Sequence, residues 1–355
     1  MASTTSLPFI GTLPAGTRDA ITDVAGVTVG HRTLADGPVQ TGVTVIRPHA
    51  GDPFRDKVPA AAVVLNGFGK SVGLVQLAEL GVLETPIALT NTFSVGTVAT
   101  AQIRDCAAAN PETGRALPTV NPLVFECNDG FLNDIQRLAV TEADYLQALA
   151  ATDADFAQGS VGAGRGMSSF QLKGGIGSAS RRVAMADGAT YTVGALVLAN
   201  YGRQPQLVLA GHAVGERLAA LQQQASTEAS EPEKGSIIIV VATDAPLDAR
   251  QLRRLALRAG AGLARTGSVF GHGSGDLVLA FSTAYTVPDR ADRPMPAVAM
   301  LHDTLLDGLF QAAADSTEQA ILHALWRATP VTGRDGNHRA ALGELLPASS
   351  LSPLA

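Results

Sequence analysis

The sequence contains few cysteines, few charged residues and no long apolar run, and each shortage excludes a class of protein. Of 355 residues, two are cysteine and 16% are charged. Two isolated thiols, Cys106 and Cys127, favour reduced core residues over a structural disulfide. No window approaches the roughly 20 uninterrupted apolar residues that a membrane-spanning helix needs. The first residues lack the basic and apolar regions of a signal peptide, so we expect a cytoplasmic protein with no membrane partner.

The charge and the histidines point away from nucleic acid and from metal. The net charge is −6 and no long basic run is present, so a nucleic-acid partner has no electrostatic footprint. The seven histidines show none of the paired spacings that are typical of metal ligands. We therefore expect no metal ion, and the sequence implies no organic cofactor.

The distribution of apolar residues indicates a mixed fold. Hydrophobic residues make up 46% of the chain, enough for one large domain or two closely packed ones. Short β-like runs between glycine-rich turns occupy 26–30, 41–46, 60–65 and 191–198. Helical spacing predicts a helix over 247–265, and the capping-box form of STEQ at 316–319 predicts another that begins at Ser316. Strands followed by helices on both sides of a polar segment at about 222–235 favour an α+β sandwich.

The stretch EPEKGSIIIVVATDAP, residues 231–246, contains an abrupt change of character. A polar, linker-like run ends at Gly235, and a β-branched run typical of a buried strand begins at Ser236. By itself this pattern is typical of a loop that enters a strand.

Two other motifs resemble catalytic signatures but fail on spacing. NGFGKS at 66–71 ends like a phosphate-binding loop, yet Val64 stands where that loop requires glycine, so the segment is interpreted as a turn. GHGSG at 271–275 resembles a nucleophile elbow with its serine, Ser274, displaced by one position. A loop precedes it and a strand follows, which is the reverse of the order that a nucleophile elbow requires.

The junction at Gly235 supports a specific chemistry if its peptide bond is cut. Ser236 Oγ can attack the Gly235 carbonyl and form an ester, which water then hydrolyses. The new α-amine of Ser236, with a reference pKa of about 7.7 to 8.0, can act as the base for its own hydroxyl. Glycine suits the preceding position because its carbonyl is sterically open and its backbone tolerates strain.

An ordered set of short stretches resembles one family of enzymes. These stretches are ITDVAGVTVGH, ECNDGFLND, GAGRGM, KGGIGSASR, ANYG, GSIIIVVATDAPL and GHGSGD. Together they resemble the L-aminopeptidase/D-amidase-esterases and β-aminopeptidases, which are self-processing serine peptidases with an amino-terminal nucleophile. The resemblance implies a four-layer αββα sandwich related to amino-terminal-nucleophile hydrolases. It also implies cleavage into chains 1–235 and 236–355, which together form one domain, and a homotetramer of the processed units.

The resemblance also implies roles for individual residues. Ser236 becomes the nucleophile that cleavage after Gly235 exposes. Ser274 and Asp276 match a serine and an acidic residue that form a relay beside it, and the i, i+2 spacing places both on one face of a strand mouth. Asn200 matches an asparagine whose side-chain amide stabilises the oxyanion.

Two further residues are assigned to substrate binding. Glu126 is the candidate that binds the free ammonium of the substrate, and Phe131 stands where some relatives have tyrosine. The function implied is an aminopeptidase that hydrolyses small peptides, amino acid amides and esters through an acyl-enzyme. The alternatives are specificity for β-amino acyl peptides, an acyltransferase resembling ornithine acetyltransferase, a non-catalytic binding protein and a hydrolase that uses Ser274 conventionally.

Overall fold

The protein is described by a computed structural model that covers residues 7–223 and 235–346. The core of the polar segment expected at 222–235 lies outside these ranges. The strands are β1 (Thr28–Asp36), β2 (Val39–Arg47), β3 (Asp56–Gly67), β4 (Val82–Leu83), β5 (Ile87–Asn91), β6 (Leu123–Cys127), β7 (Ser168–Ser169), β8 (Leu172–Lys173), β9 (Gly175–Ala184), β10 (Thr190–Asn200), β11 (Val208–Leu209), β12 (His212–Ala213), β13 (Ser236–Thr243), β14 (Gly275–Ser282), β15 (Val287–Pro288), β16 (Val331–Thr332) and β17 (His338–Arg339). The helices are α1 (Leu74–Leu80), α2 (Val95–Ala109), α3 (Glu142–Ala150), α4 (Gly215–Gln223), α5 (Ala249–Arg265), α6 (Asp307–Trp326) and α7 (Leu342–Leu345).

Two sheets form the centre of the fold. The smaller has the strand order β1-β2-β5-β6, and the larger has the order β15-β3-β14-β13-β10-β9 with β4 beside β3. Most neighbouring strands are antiparallel, whereas β5 with β6 and β13 with β14 are parallel. The apolar side chains that face inward from both sheets form one continuous core.

Helices cover the outer faces of both sheets. The helices α5 and α6 pack on the larger sheet, and α2 and α3 pack on the smaller one. The expected four-layer αββα sandwich is therefore confirmed. Within the described ranges, no helix is long and apolar enough to cross a membrane.

The strand β13 lies in the middle of the larger sheet, and each of its residues is buried. Its side chains alternate between the two core layers: Ile238 and Val240 face the other sheet, whereas Ile237 and Ile239 face the helices. A run without polar alternation is expected of a strand that is covered on both faces. The run that begins at Ser236 is therefore a central strand, as the sequence predicts.

The predicted helix ends are partly right. Helix α5 begins after Asp248, whose Oδ1 accepts a hydrogen bond from Gln251 N at 2.7 Å, close to the predicted start. The predicted start of the last long helix at Ser316 is wrong, because α6 begins at Asp307. Ser316 lies in mid-helix, where its Oγ donates to Val193 O of the sheet at 3.2 Å. The sequence STEQ thus has the pattern of a capping box but lies where no helix begins.

One close contact between a helix and the larger sheet yields a stability prediction. A Cβ at Gly177 in β9 would lie 1.9 Å from Ala320 O of α6. We expect Gly177→Ala to lower the free energy of unfolding by about 1 to 3 kcal/mol or more, because neither backbone can move aside freely. Urea denaturation followed by circular dichroism measures the change. Gly96→Ala is the control, since a Cβ there meets no atom within 4 Å; equal midpoints for both variants would contradict the contact.

Candidate active site

Ser236 occupies the first position of β13, between two residues of neighbouring strands. It pairs with Asn200 at the end of β10 and with Gly275 at the start of β14. The Gly275 N–H donates a hydrogen bond to Ser236 Oγ at 3.1 Å, and the serine is 5% exposed. The hydroxyl is thus fixed in a buried position with one backbone donor directed at its oxygen.

Close backbone contacts require glycine at position 235, before this serine, and at position 275, opposite it on the neighbouring strand. A Cβ at position 235 would lie 2.3 Å from the Asn200 carbonyl oxygen and 2.5 Å from Tyr201 Cα. A Cβ at Gly275 would lie 2.8 Å from Phe68 O. Real Cβ atoms do not approach backbone atoms this closely. The Gly-Ser junction therefore fits only with glycine before the serine.

The side-chain amide of Asn200 is held in one orientation. Its Oδ1 accepts a hydrogen bond from Ser168 N at 2.8 Å, and its Nδ2 donates to Asn128 O at 3.0 Å. A flipped amide would oppose donor to donor and acceptor to acceptor at these contacts. One of the two N–H donors of the amide is used by Asn128. Asn200 lies opposite Ser236 on the neighbouring strand, β10.

Ser274 and Asp276 lie side by side, as their i, i+2 spacing predicts. Ser274 Oγ donates to Asp276 Oδ1 at 2.5 Å, and both side chains are buried. They flank Gly275, the residue that pairs with Ser236. Asp276 pairs with Ile237 on the helix-facing side of the sheet, whereas Ser236 shares the inward face of Ile238. The pair therefore lies on the helix-facing side of the sheet, opposite the face that carries the Ser236 side chain.

Glu126 is a buried carboxylate near the nucleophile. It is the penultimate residue of β6 and is 3% exposed. Its Oε1 accepts from Lys70 N at 2.8 Å, and its Oε2 accepts from the Thr92 hydroxyl. A Cβ at Gly69 would lie 3.7 Å from Glu126 Oε1 and 3.8 Å from Gly275 Cα. Gly69 is thus a neighbour both of Glu126 and of Gly275, the residue whose N–H binds Ser236 Oγ.

Phe131 packs against a cation at the side of the site that contains Asn200. The Arg339 guanidinium lies 3.6 Å from the centre of its ring, and Arg339 Nε donates to Ser168 Oγ at 2.7 Å. The Phe131 carbonyl accepts from Asn337 Nδ2 at 2.8 Å. The ring therefore packs on Arg339, which in turn binds Ser168, the residue whose N–H binds Asn200.

The structure brings several residues into the site that the sequence did not reveal. The segment interpreted only as a turn, NGFGKS, contributes the Lys70 N–H to Glu126, and its Phe68 N donates to Ser274 O at 3.3 Å. Thr92 and the Gly275 N–H were also missed. Their contributions come from a hydroxyl and backbone groups that no spacing rule singles out. The two glycines in NGFGKS were the available signal of a close backbone approach.

The cysteines do not provide an alternative nucleophile. Both are unpaired, as expected. Burial raises the pKa of the Cys106 thiol to about 11 and that of Cys127 well above its usual range, so both thiols are protonated at neutral pH and are poor nucleophiles. In residues 7–223 and 235–346, no cluster of His, Cys, Asp and Glu has the arrangement of a metal site.

Comparisons with known proteins cover almost the whole chain. The model of peptidase family S58 matches residues 19–339. The β-peptidyl aminopeptidase BapA of Sphingosinicella microcystinivorans is 40% identical over 349 residues, which cover 93% of this chain and 86% of that protein. A β-aminopeptidase structure from Burkholderia sp. has a TM-score of 0.87 at 42% identity and covers 97% of this chain and 96% of its own.

A third similar protein provides the description of the fold. The L-aminopeptidase D-Ala-esterase/amidase of Ochrobactrum anthropi has a TM-score of 0.85 at 36% identity, with 95% of this chain and 93% of that chain covered. It is described as a prototype of the serine aminopeptidases and as a variant of the Ntn hydrolase fold. The similarity therefore includes both sheets and both helical layers.

Proposed function

The chain belongs to peptidase family S58 and is a serine-type aminopeptidase, and we propose that its nucleophile is Ser236, which self-cleavage after Gly235 exposes. The observation that carries this proposal is the position of Ser236. It is the first residue of a buried central strand, with the Gly275 N–H on its Oγ and Asn200 paired across the sheet. A serine that merely begins a strand needs no backbone donor on its hydroxyl.

The cleavage step uses the serine that it liberates. Ser236 Oγ attacks the Gly235 carbonyl carbon, the peptide C–N bond breaks, and the nitrogen takes up the proton from the hydroxyl. Water then hydrolyses the resulting ester and leaves a carboxylate on Gly235 and a free α-amine on Ser236. The backbone contacts that require glycine at 235 support this step, because they leave no room for a side chain on the residue that carries the scissile carbonyl.

Turnover repeats the same chemistry on a substrate. The α-amine of Ser236 accepts the hydroxyl proton as Oγ attacks the substrate carbonyl. An N–H of Asn200 donates to the developing oxyanion, and the leaving amine takes the proton from the α-ammonium. Water releases the acyl group and restores the serine. Ser274 and Asp276 hold the amino terminus, a role that fits their place beside Gly275.

The substrate class follows from Glu126. A buried carboxylate that shares the neighbour Gly69 with Gly275, the residue whose N–H binds Ser236 Oγ, is suited to bind the free ammonium of an amino-terminal residue. Small peptides and amino acid amides are therefore the proposed substrates, with esters as a second group. Peptides with a β-amino acyl end are the second candidate class, which the names of two similar proteins favour. The homotetramer and the cytoplasmic location expected from the sequence remain proposals.

Intact-mass measurement of the purified protein tests the proposal. We expect two fragments, residues 1–235 and 236–355, and an amino-terminal Ser236 on the second. The fragments should separate in denaturant and remain together in native buffer, since β13 and β14 of the second fragment lie between β10 and β3 of the first in one sheet. A chain that stays intact after prolonged incubation while hydrolysing aminoacyl amides would contradict the proposal.

A further inference from the structure

Lys173 is a fully buried cation whose partners are all backbone carbonyls. Its side chain is 0% exposed at the end of β8. Its Nζ donates to Gly164 O, Met167 O and Gly174 O, each at 2.8 Å. No salt bridge to Lys173 occurs among the residues that the structure describes.

The geometry of these three contacts fits the charged form of the side chain. Burial and the nearby Arg165 guanidinium lower the pKa of Lys173, while the Asp129 carboxylate favours the ammonium. An ammonium has three N–H donors, one for each of the three carbonyls, whereas a neutral amine has two. The ammonium is therefore held by the three carbonyls, and it links residues 164, 167 and 174 to one another.

The same peptide unit that binds Lys173 also binds Asn200. The peptide joining Met167 and Ser168 accepts from Lys173 Nζ at its carbonyl oxygen and donates from its N–H to Asn200 Oδ1 at 2.8 Å. In a trans peptide these two groups point in opposite directions. The peptide therefore lies between the ammonium and the carboxamide, and its dipole points its positive end at Asn200.

A continuous chain of hydrogen bonds results. It runs from the ammonium through one peptide group to the amide of Asn200, and each bond polarises the next in the same sense. An ammonium at the far end makes the Nδ2–H of Asn200 a better donor. The arrangement also fixes the side-chain amide before a substrate binds, as preorganised stabilisation requires.

We propose that Lys173 is a positioning residue for Asn200, acting through the peptide between Met167 and Ser168 to orient and polarise the oxyanion donor. This inference rests on the proposed role of Asn200. Lys173 itself touches no substrate. Its effect therefore belongs to the chemical step and not to substrate binding.

A double-mutant cycle tests the inference. The variants are Lys173→Met, Asn200→Ala and the combination, with kcat and KM measured per mole of chain that carries a free Ser236. We expect Asn200→Ala to lower kcat by about 10²- to 10³-fold and Lys173→Met to lower it by about 10-fold or more, with KM nearly unchanged. In the Asn200→Ala background, Lys173→Met should change kcat by less than about 3-fold, because residues in one network are not additive.

Arg181→Met is the matched control. Arg181 is likewise a fully buried cation, and it donates to the carbonyls of Ile10 and Ser180 away from the site. This variant should lose thermal stability, keep its kcat per processed chain and combine independently with Asn200→Ala. If Lys173→Met does not fold, Lys173→Gln serves in its place, since glutamine retains two N–H donors.

The possible outcomes separate the inference from its premise. Independent, multiplicative effects of Lys173→Met and Asn200→Ala on kcat would overturn the inference and leave the proposed function intact. Failure of both Lys173 variants to fold while Arg181→Met folds would also overturn it, because the role of Lys173 would then be purely structural. A wild-type kcat for Asn200→Ala would show that the premise itself is wrong.

Discussion

Ser236→Ala is expected to remain a single uncleaved chain and to lose aminopeptidase turnover by about 10⁴-fold or more. The substitution removes one buried hydroxyl that attacks the Gly235 carbonyl during processing and the substrate carbonyl during turnover. It leaves the strand pairing with Asn200 and Gly275 in place. Mass spectrometry of the purified variant and hydrolysis of an aminoacyl p-nitroanilide measure the two effects.

The comparison with Ser274→Ala makes this result specific. If Ser274 were the nucleophile, its alanine variant would lose activity while cleavage after Gly235 continued. The proposed roles give the reverse order: Ser236→Ala stops both reactions, and Ser274→Ala slows both, since it disturbs the bond from Ser274 to Asp276 beside the amino terminus. Substantial turnover by an uncleaved Ser236→Ala chain would show that Ser236 is not the nucleophile and would favour Ser274 in that role.

Local pattern was sufficient to predict the elements that centre on the nucleophile. The β-branched run after Gly235 predicted a buried strand, and β13 is buried on both faces. The apolar spacing over 247–265 predicted α5, because that helix has one buried stripe and one solvated face. The four layers, in contrast, followed from the family resemblance, since no local pattern determines which sheet packs on which.

Prediction failed where tertiary contacts override a local signal. The serine predicted to begin the last long helix lies in the middle of α6, because residues 307–315 are themselves helical and packed on β9. Burial of Glu126 was equally invisible, since an acid at the end of a short strand is ordinarily exposed. It is buried because the backbone of Lys70 and the hydroxyl of Thr92 satisfy its oxygens.

Much of the site is built from backbone, which explains why the residue types alone revealed only part of it. The Gly275 N–H binds the nucleophile, the Ser168 N–H binds Asn200, and the Lys70 N–H binds Glu126. A main-chain donor can belong to any residue except proline. Glycine was the available marker, because a Cβ at Gly235 or Gly275 would collide with the backbone of Asn200 or Phe68 beside the site.

Glu126→Gln is expected to lower kcat/KM for substrates with a free amino terminus by at least about 30-fold, which corresponds to about 2 kcal/mol, and to spare acetyl-blocked esters. The fold tolerates the change: glutamine keeps an acceptor for the Lys70 N–H, and the Thr92 hydroxyl can accept from the new amide instead of donating. What the variant loses is negative charge in a buried position, and only a cationic substrate senses that loss. Parallel assays on an amino acid ester and its N-acetyl counterpart measure the difference.

Glu84→Gln is the control for burial without the proposed role. Glu84 is also a buried carboxylate, 5% exposed, and it binds Lys57 Nζ at 2.9 Å and Asn121 N at 2.6 Å. Its neutralisation should cost stability and leave the ratio of the two rates unchanged. If Glu126→Gln lowers both rates equally, the carboxylate supports the loop at Lys70 instead of the substrate ammonium. A change in the ratio for Glu126→Gln alone locates its effect at the amino group of the substrate, because the two esters differ only there.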